Sequence, residues 1–462
     1  MTRRPTVVDP PSRLASLDVF RGLVMLVLIP DTYGGFSFYA MAARDPDNPI
    51  WGFLARLFTH AQWSGCTIWD LVMPAFLFTI GVAIPYSYSA RKDRGDSDAW
   101  IFTHAVLRAL ALLILGVELQ LSIHTVGDIV WPFVILALGL PLPALVAGLF
   151  RQSGSRGGHA FELAWWGAVL AASALRLDRH VGDLRVIALH DILPQVGLGY
   201  VFVFALSRYS VRTRALASVG ILFAYWLAFL LFPSPGSGFD PRAAGLAPGD
   251  QVFTGYFAHW NKNTNLAASF DRWLLNLFPT AKTYVSNEHG YQTLNFIPSI
   301  VTMLFGTVAG DHLRRALPRE RIRNGLLGAG GLAVFGGVIL GWIACPIVKS
   351  IWTPSWTVFS AGVVTLALGG LYHAVDVRGA RARSDRASRA WTLPFVVAGR
   401  NPILLYMLAL HYRWWIVEVW RRGFGRALFA GYWGPLLESV ACGLSLWLVA
   451  CAAYRLRIFI RI

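Results

Sequence analysis

The chain has 462 residues, 55% of them apolar and only 14% charged, with a mean hydropathy of +0.51. Soluble domains carry about 25% charged residues, so this composition excludes a soluble enzyme with an anchor. The net charge of +16 would point to nucleic acid in a soluble chain; here the basic residues concentrate in particular loops, and no nucleic-acid partner is expected.

The hydropathy pattern predicts an all-α integral membrane protein, a bundle of about 10–12 transmembrane helices. Spans fall near 17–33, 67–89, 101–121, 129–150, 161–177, 192–208, 214–233, 295–312, 324–344, 353–373, 392–410 and 432–454. The fifth and sixth are short and interrupted. No signal peptide is evident, because the first apolar stretch starts near Leu17 and no small-residue cleavage site follows. With the N-terminus in the cytoplasm, the inner segments hold 24 Lys and Arg in 87 residues, against 14 in 147 on the opposite side. That is the positive-inside pattern. Both termini are thus expected in the cytoplasm, and His60 on the far side.

Polar residues within spans are costly and each needs a reason. In the first, Asp18 and Arg21 are three apart on one helix face and can pair. Alternatively Arg21 faces an anionic cofactor. Pro30-Asp31-Thr32-Tyr33-Gly34-Gly35 ends or unwinds that helix, turning Asp31 inward. Next comes His60-Ala-Gln-Trp63-Ser-Gly65-Cys66-Thr67-Ile-Trp-Asp70, then Pro74. Histidine can act as a general base near neutral pH, and Asp70 could orient it. Equally, His60 could be a polar residue at the headgroup boundary. Gln195 lies inside a span and Asn295 opens another.

The longest outer loop, about 234–294, carries His259-Trp260-Asn261-Lys262-Asn263, Asp271 and Asn287-Glu288-His289-Gly290. Such residues can bind a sugar or lie on the membrane interface. Pro346 to Ser355, with Lys349 and Trp352, links two spans on the outer side. The basic loop 374–391 is a topology-setting tether or a contact for a phosphorylated cofactor. Gly399-Arg400-Asn401-Pro402 breaks the eleventh span near its middle, which suits a hydrated cavity. Four cysteines, at 66, 345, 442 and 451, have no metal-ligand spacing. Cys66 and Cys345 read as two separate buried thiols, with a disulfide as the alternative. The whole reads as one transmembrane domain, 1–462, with its motifs concentrated in 13–90.

Five blocks in order give these residues a common frame. Arg13-Leu-Ala-Ser-Leu-Asp-Val-Phe-Arg-Gly22, His60 through Asp70 with Pro74, Leu193-Pro-Gln-Val-Gly-Leu-Gly-Tyr200, Pro346 to Ser355, and Gly399-Arg-Asn401 through Tyr406 resemble motifs of the multi-span heparan-alpha-glucosaminide N-acetyltransferase family. The resemblance covers most of the chain, but 122–187 has no placed counterpart. Thr32, preceded by Asp31, stands where the best-known members have Asn, Val348 replaces Asn, and His289 follows Glu288 where the pattern has Glu-Gly.

The resemblance implies an acyltransferase of the inner (cytoplasmic) membrane, moving an acetyl group from cytoplasmic acetyl-CoA to an amino sugar or other glycan acceptor on the outer side. Acetyl-CoA would be a cosubstrate, with no metal. His60 lands on the family's catalytic histidine, with Asp70 beside it. Asp18, Arg21, Arg400 and Asn401 would serve the donor. Asp31, Thr32, Trp63, Glu288, Asn295, Lys349, Trp352 and Ser355 would serve the acceptor. The expected partners are the lipid bilayer and the two substrates, with a homodimer left open. An O-acyltransferase of a cell-surface polysaccharide and a transporter or flippase of a lipid-linked sugar are the alternatives.

Overall fold

A computed structural model describes residues 14–31, 35–119, 164–169, 171–173, 189–236, 240–277, 283–379 and 390–459. The described residues form helices, turns and one isolated antiparallel bridge between Ser64 and Val348. In chain order the helices are α1 (Ala15–Leu28), α2 (Phe38–Arg44), α3 (Pro49–Phe58), α4 (Val72–Lys92), α5 (Asp98–Glu118), α6 (Ile192–Ser207), α7 (Val211–Leu231), α8 (Leu266–Leu275), α9 (Phe296–Leu313), α10 (Arg319–Ile343), α11 (Pro354–Tyr372), α12 (Leu393–Arg400), α13 (Pro402–Phe424), α14 (Arg426–Ala430) and α15 (Gly434–Arg455). Seven helical stretches among the described residues are long and apolar enough to cross a membrane. The bent pair α12–α13 makes an eighth if it counts as one span. The protein is thus a multi-span helical membrane protein.

Several expected spans differ in detail. The first and sixth are the helices α1 and α6, of 14 and 16 residues, below the ~20 that cross hydrocarbon unaided. The fourth, and part of the fifth, lie outside the described residues. The eleventh breaks as expected, with an 80° bend at Asn401. However, α13 runs on to Phe424 through what the charges suggested was an outer loop. Its late charges are paired: Arg421 Nε donates to Glu438 at 2.9 Å and Arg422 Nε to Glu418 at 2.9 Å.

The chain divides into two compact units. The first comprises Met1–Tyr86, Thr302–Lys349 and Pro354–Phe459. Its core includes Phe20, Met25, Phe78, Val82, Leu368, Leu405 and Leu446. Backbones approach closely where glycines meet, as small residues permit in membranes. A Cβ on Gly22 of α1 would lie 1.8 Å from the Phe395 carbonyl oxygen of α12, and one on Gly399 would lie 1.9 Å from that of Asp18. Gly81 and Gly306 do the same for α4 and α9.

The second unit comprises Ser87–Val301, Ser350–Thr353 and Ile460–Ile462. In it α5 packs on α6, with Gly116 against Pro194, and Arg108 Nη1 donates to the Tyr200 hydroxyl at 2.8 Å. The described residues of 240–277 and 283–295 include buried Trp260, Asn261, Asn265 and Asp271. Its own side chains supply the structure: Asn265 caps α8 by accepting from Ala268 N, and Asn276 bonds the backbone of Tyr284.

Candidate functional site

Helix α3 starts at Pro49 behind Asn48, whose side chain accepts from Ile50 N at 3.1 Å. These are standard helix-start residues. It stops at Phe58, and the chain turns extended at Thr59, so His60 sits on a loop rather than a helix face. The loop ends in Thr67-Ile-Trp-Asp70, a threonine three residues ahead of an acid at a helix start, which is the capping-box pattern. Thr67 Oγ1 accepts from Asp70 N at 3.3 Å and donates to Asp70 Oδ2 at 3.0 Å.

Asp70 is only 1% exposed and its carboxylate is closely served. Oδ2 also accepts from the backbone N–H of Ala61 at 3.1 Å and of Thr67 at 3.0 Å. Oδ1 lies 2.7 Å from His60 Nδ1. Three donors on one oxygen favour the ionised carboxylate. The network therefore assigns the Nδ1 proton to a bond donated to Oδ1. That leaves Nε2 as the ring's lone-pair nitrogen, on a side chain 42% exposed. A buried, backbone-anchored carboxylate thus fixes the tautomer of an accessible imidazole, the arrangement that makes histidine a directed base.

Lys349 reaches the pair from a segment 289 residues away in sequence. The link between α10 and α11 lies against the histidine loop: Gly65 N donates to Ile347 O at 2.9 Å, beside the Ser64–Val348 bridge. Gly65 has φ +124°, a conformation other residues rarely adopt. Ser355 Oγ donates to Pro346 O at 2.9 Å and accepts from Cys345 Sγ at 3.5 Å, tying the base of the link. Ser355 therefore has a structural partner here. Lys349 Nζ stands 3.0 Å from His60 Nδ1, 3.5 Å from Nε2 and 3.5 Å from Asp70 Oδ1.

Asp31 is fully buried just past the end of α1. Arg413 Nη2 is 3.4 Å from its Oδ2 and Arg413 Nε donates to Pro30 O at 3.2 Å. Ser37, left-handed at φ 58°, donates its hydroxyl to Asp31 and lies 2.6 Å from the Ser439 hydroxyl. Trp63, expected to serve the acceptor, is buried. Thr32 lies outside the described residues.

The residues expected to serve the donor gather at the start of α1. Asp18 pairs with Arg400 Nε at 3.4 Å, and that guanidinium also stacks over Tyr454 and Phe459. Arg21 Nη2 donates to Thr79 O at 3.0 Å, and Asn401 Nδ2 to Ile458 O at 2.9 Å. Asp18 and Leu28, at the two ends of α1, are about 15 Å apart at the helical rise.

Glu288, Asn295 and Trp352 belong to the second unit. Glu288 is exposed in a turn whose Asn287 side chain accepts from His289 N and Tyr291 N. Asn295 Nδ2 donates to Ser350 O at 2.8 Å, and Trp352 is buried with φ 46°. The cysteines are all free; Cys345 is buried as expected, but Cys66 is exposed, because its loop carries it outward past Gly65. Arg413, Thr67, Ser37 and Ser439 were not anticipated. Thr67 had a readable signal in its spacing to Asp70. Arg413 did not, since it fell in a segment that looked like a loop.

No family model matches the chain. The heparan-alpha-glucosaminide N-acetyltransferase of Mus musculus is 26% identical over 418 residues, covering 86% of this chain and 53% of its own length. That of Homo sapiens is 25% identical over 429 residues, covering 86% and 52%. The chain spans about half the length of the curated relatives it matches. Likeness across most of this sequence, on a multi-span helical scaffold, makes the chain a distant relative of the heparan-alpha-glucosaminide N-acetyltransferases.

Proposed function

We propose that this chain is an acyltransferase of the inner (cytoplasmic) membrane. It moves the acetyl group of cytoplasmic acetyl-CoA to an amino sugar or other glycan acceptor on the opposite side. The observation that carries the reading is the His60–Asp70 pair: Nδ1 bound at 2.7 Å to a buried carboxylate, with the imidazole exposed. Such a base takes the proton from an amine or hydroxyl as it attacks a thioester. Asp70 holds the imidazolium that forms. The Asp18–Arg400 pair and Arg21 support a donor end near the cytoplasmic mouth of α1, where a phosphate-bearing cosubstrate would meet guanidinium groups.

The test uses purified protein in proteoliposomes, supplied with acetyl-CoA and hexosamine or glycan acceptors, with free CoA measured over time. Acceptor-dependent CoA release is expected from the native chain. His60→Ala should lower kcat by about 100-fold or more, the usual weight of a general base. Asp70→Asn should lower it as well, while leaving CoA binding intact. A native protein that neither binds acetyl-CoA saturably nor releases CoA would sink the reading and leave transport as the surviving one.

A further inference from the structure

We propose that the charged cavity bounded by the ends of α2 and α13, by α14 and by the first turn of α15 binds the phosphodiester headgroup of an anionic phospholipid. None of its lining residues belongs to the His60 loop, and the inference does not depend on the acyl-transfer reading.

The cavity has a volume of about 470 Å³, within the ~300–1,000 Å³ of small-ligand sites. Arg44, Arg421, Arg426, Glu418 and Glu438 line it, with Phe429 as an apolar wall. All belong to the first compact unit. Charge does not balance inside it. Arg421 Nε donates to Glu438 at 2.9 Å, and Arg426 Nη2 to Glu418 at 2.7 Å. Glu418 also accepts from Arg422 at 2.9 Å. Arg44 has no carboxylate. Its Nη1 donates to the carbonyls of Gly431 and Tyr432, and among the described residues its Nε and Nη2 have no partner. The Arg426 side chain is 74% exposed, so its fork opens to the outside. Two carboxylates thus face three lining guanidiniums. A monoanion with several acceptor oxygens completes that set, and guanidinium forks suit phosphate oxygens in geometry as well as charge.

Position in the membrane selects a lipid as the bearer of that phosphate. Helix α15 is long and apolar enough to cross a bilayer, so a cavity at its first turn lies at a bilayer face. Tyr432 and Trp433, both exposed just ahead of it, are residues that favour headgroup depth. Further along α15, Val440, Leu444 and Leu448 stand exposed at four-residue spacing, an apolar track for an acyl chain. Basic pockets between spanning helices at this depth suit anionic headgroups. A phosphate joining Arg44 to Arg426 ties the end of α2 to α14. It reinforces the bond by which Trp51 Nε1 of α3 reaches the Tyr432 hydroxyl at 2.8 Å.

The experiment titrates the chain, purified in detergent, with dioctanoyl-phosphatidylglycerol, dioctanoyl-phosphatidylethanolamine or glycerophosphoglycerol, the first headgroup without its chains. Native mass spectrometry reads the affinity of the first molecule bound. Phosphatidylglycerol should bind about tenfold or more tightly than the zwitterionic lipid and than the bare headgroup. Arg44→Gln and Arg426→Gln should each weaken phosphatidylglycerol by about tenfold, the weight of one charge-assisted bond. Arg422→Gln removes the same charge from outside the lining and should stay within about threefold. Equal binding of the two lipids overturns the proposal, as does a loss in Arg422→Gln as large as that in Arg426→Gln, which would mark diffuse charge and no site. A bare headgroup that binds as tightly as the lipid overturns the lipid assignment in favour of a free phosphodiester. Should Arg44→Gln lack a cooperative melt, Arg426→Gln decides alone under the same limits.

Discussion

At the scale of single residues, burial decides which polar groups carry charge. Asp271 on α8 accepts the Thr293 amide at 2.9 Å through one oxygen, while its other oxygen is buried without a partner. Burial pushes its carboxyl up to about 6, above the 3.8 of the free group. A raised acid makes the folded state hold its proton longer than the unfolded state does. Its penalty is therefore absent below about pH 4, grows as pH rises, and is complete above about pH 6. Two units correspond to about 3 kcal/mol at most. Asp271→Asn should flatten this slope, melting higher than the native chain at pH 7 and with little difference at pH 4. An unchanged difference across that range would contradict the assignment. The contrast with Asp70 is instructive. Both acids are buried, yet Asp70 has two backbone N–H groups, a threonine hydroxyl, an imidazole and an ammonium around it. The spacing from Thr67 to Asp70 carries a capping-box signal, although Thr67 was not anticipated, and His60 was legible as a base near an acid. The ten residues between His60 and Asp70 follow no helical period, so sequence could not promise their contact. Nor could it give the approach of Lys349, which depends on a backbone pairing between distant loops.

At the scale of elements, close helix crossings set the positions of the polar groups. Gly22 and Gly399 let α1 and α12 touch backbone to backbone, which brings Arg400 to Asp18. Gly22→Ala would force that crossing apart and should cost about 1–3 kcal/mol, as overpacking does. Gly328 on α10 has open space where a Cβ would go. Gly328→Ala should therefore cause no loss of melting temperature, since alanine is the better helix former. Equal destabilisation by both would show that helix content, not the crossing, sets the effect. The break at Asn401 was legible, because Pro402 cannot continue a helix bonded to what precedes it. The length of α13 beyond it was not. Arg413, Glu418, Arg421 and Arg422 look like loop residues until their partners are known. Arg413 neutralises Asp31, and the others pair with Glu438 or with each other along the helix.

At the scale of the whole molecule, the bias of Lys and Arg towards one set of loops predicts an orientation, and that orientation can be tested directly. Asp47, between α2 and α3, and Asp93, after α4, are both exposed. In a background lacking Cys66, Asp47→Cys should react with a membrane-impermeant maleimide on intact cells and Asp93→Cys only after permeabilisation. The reverse pattern would invert the topology and place His60 in the cytoplasm. The docked link between α10 and α11 also bears on how the protein is made. His60 and Asp70 are synthesised early, but the lysine beside them follows 289 residues after the histidine. At a translation rate of about 5–20 residues per second, that gap lasts tens of seconds. During it His60 and Asp70 lack the ammonium that stands beside them in the finished fold, so the three-residue cluster is completed only late in synthesis.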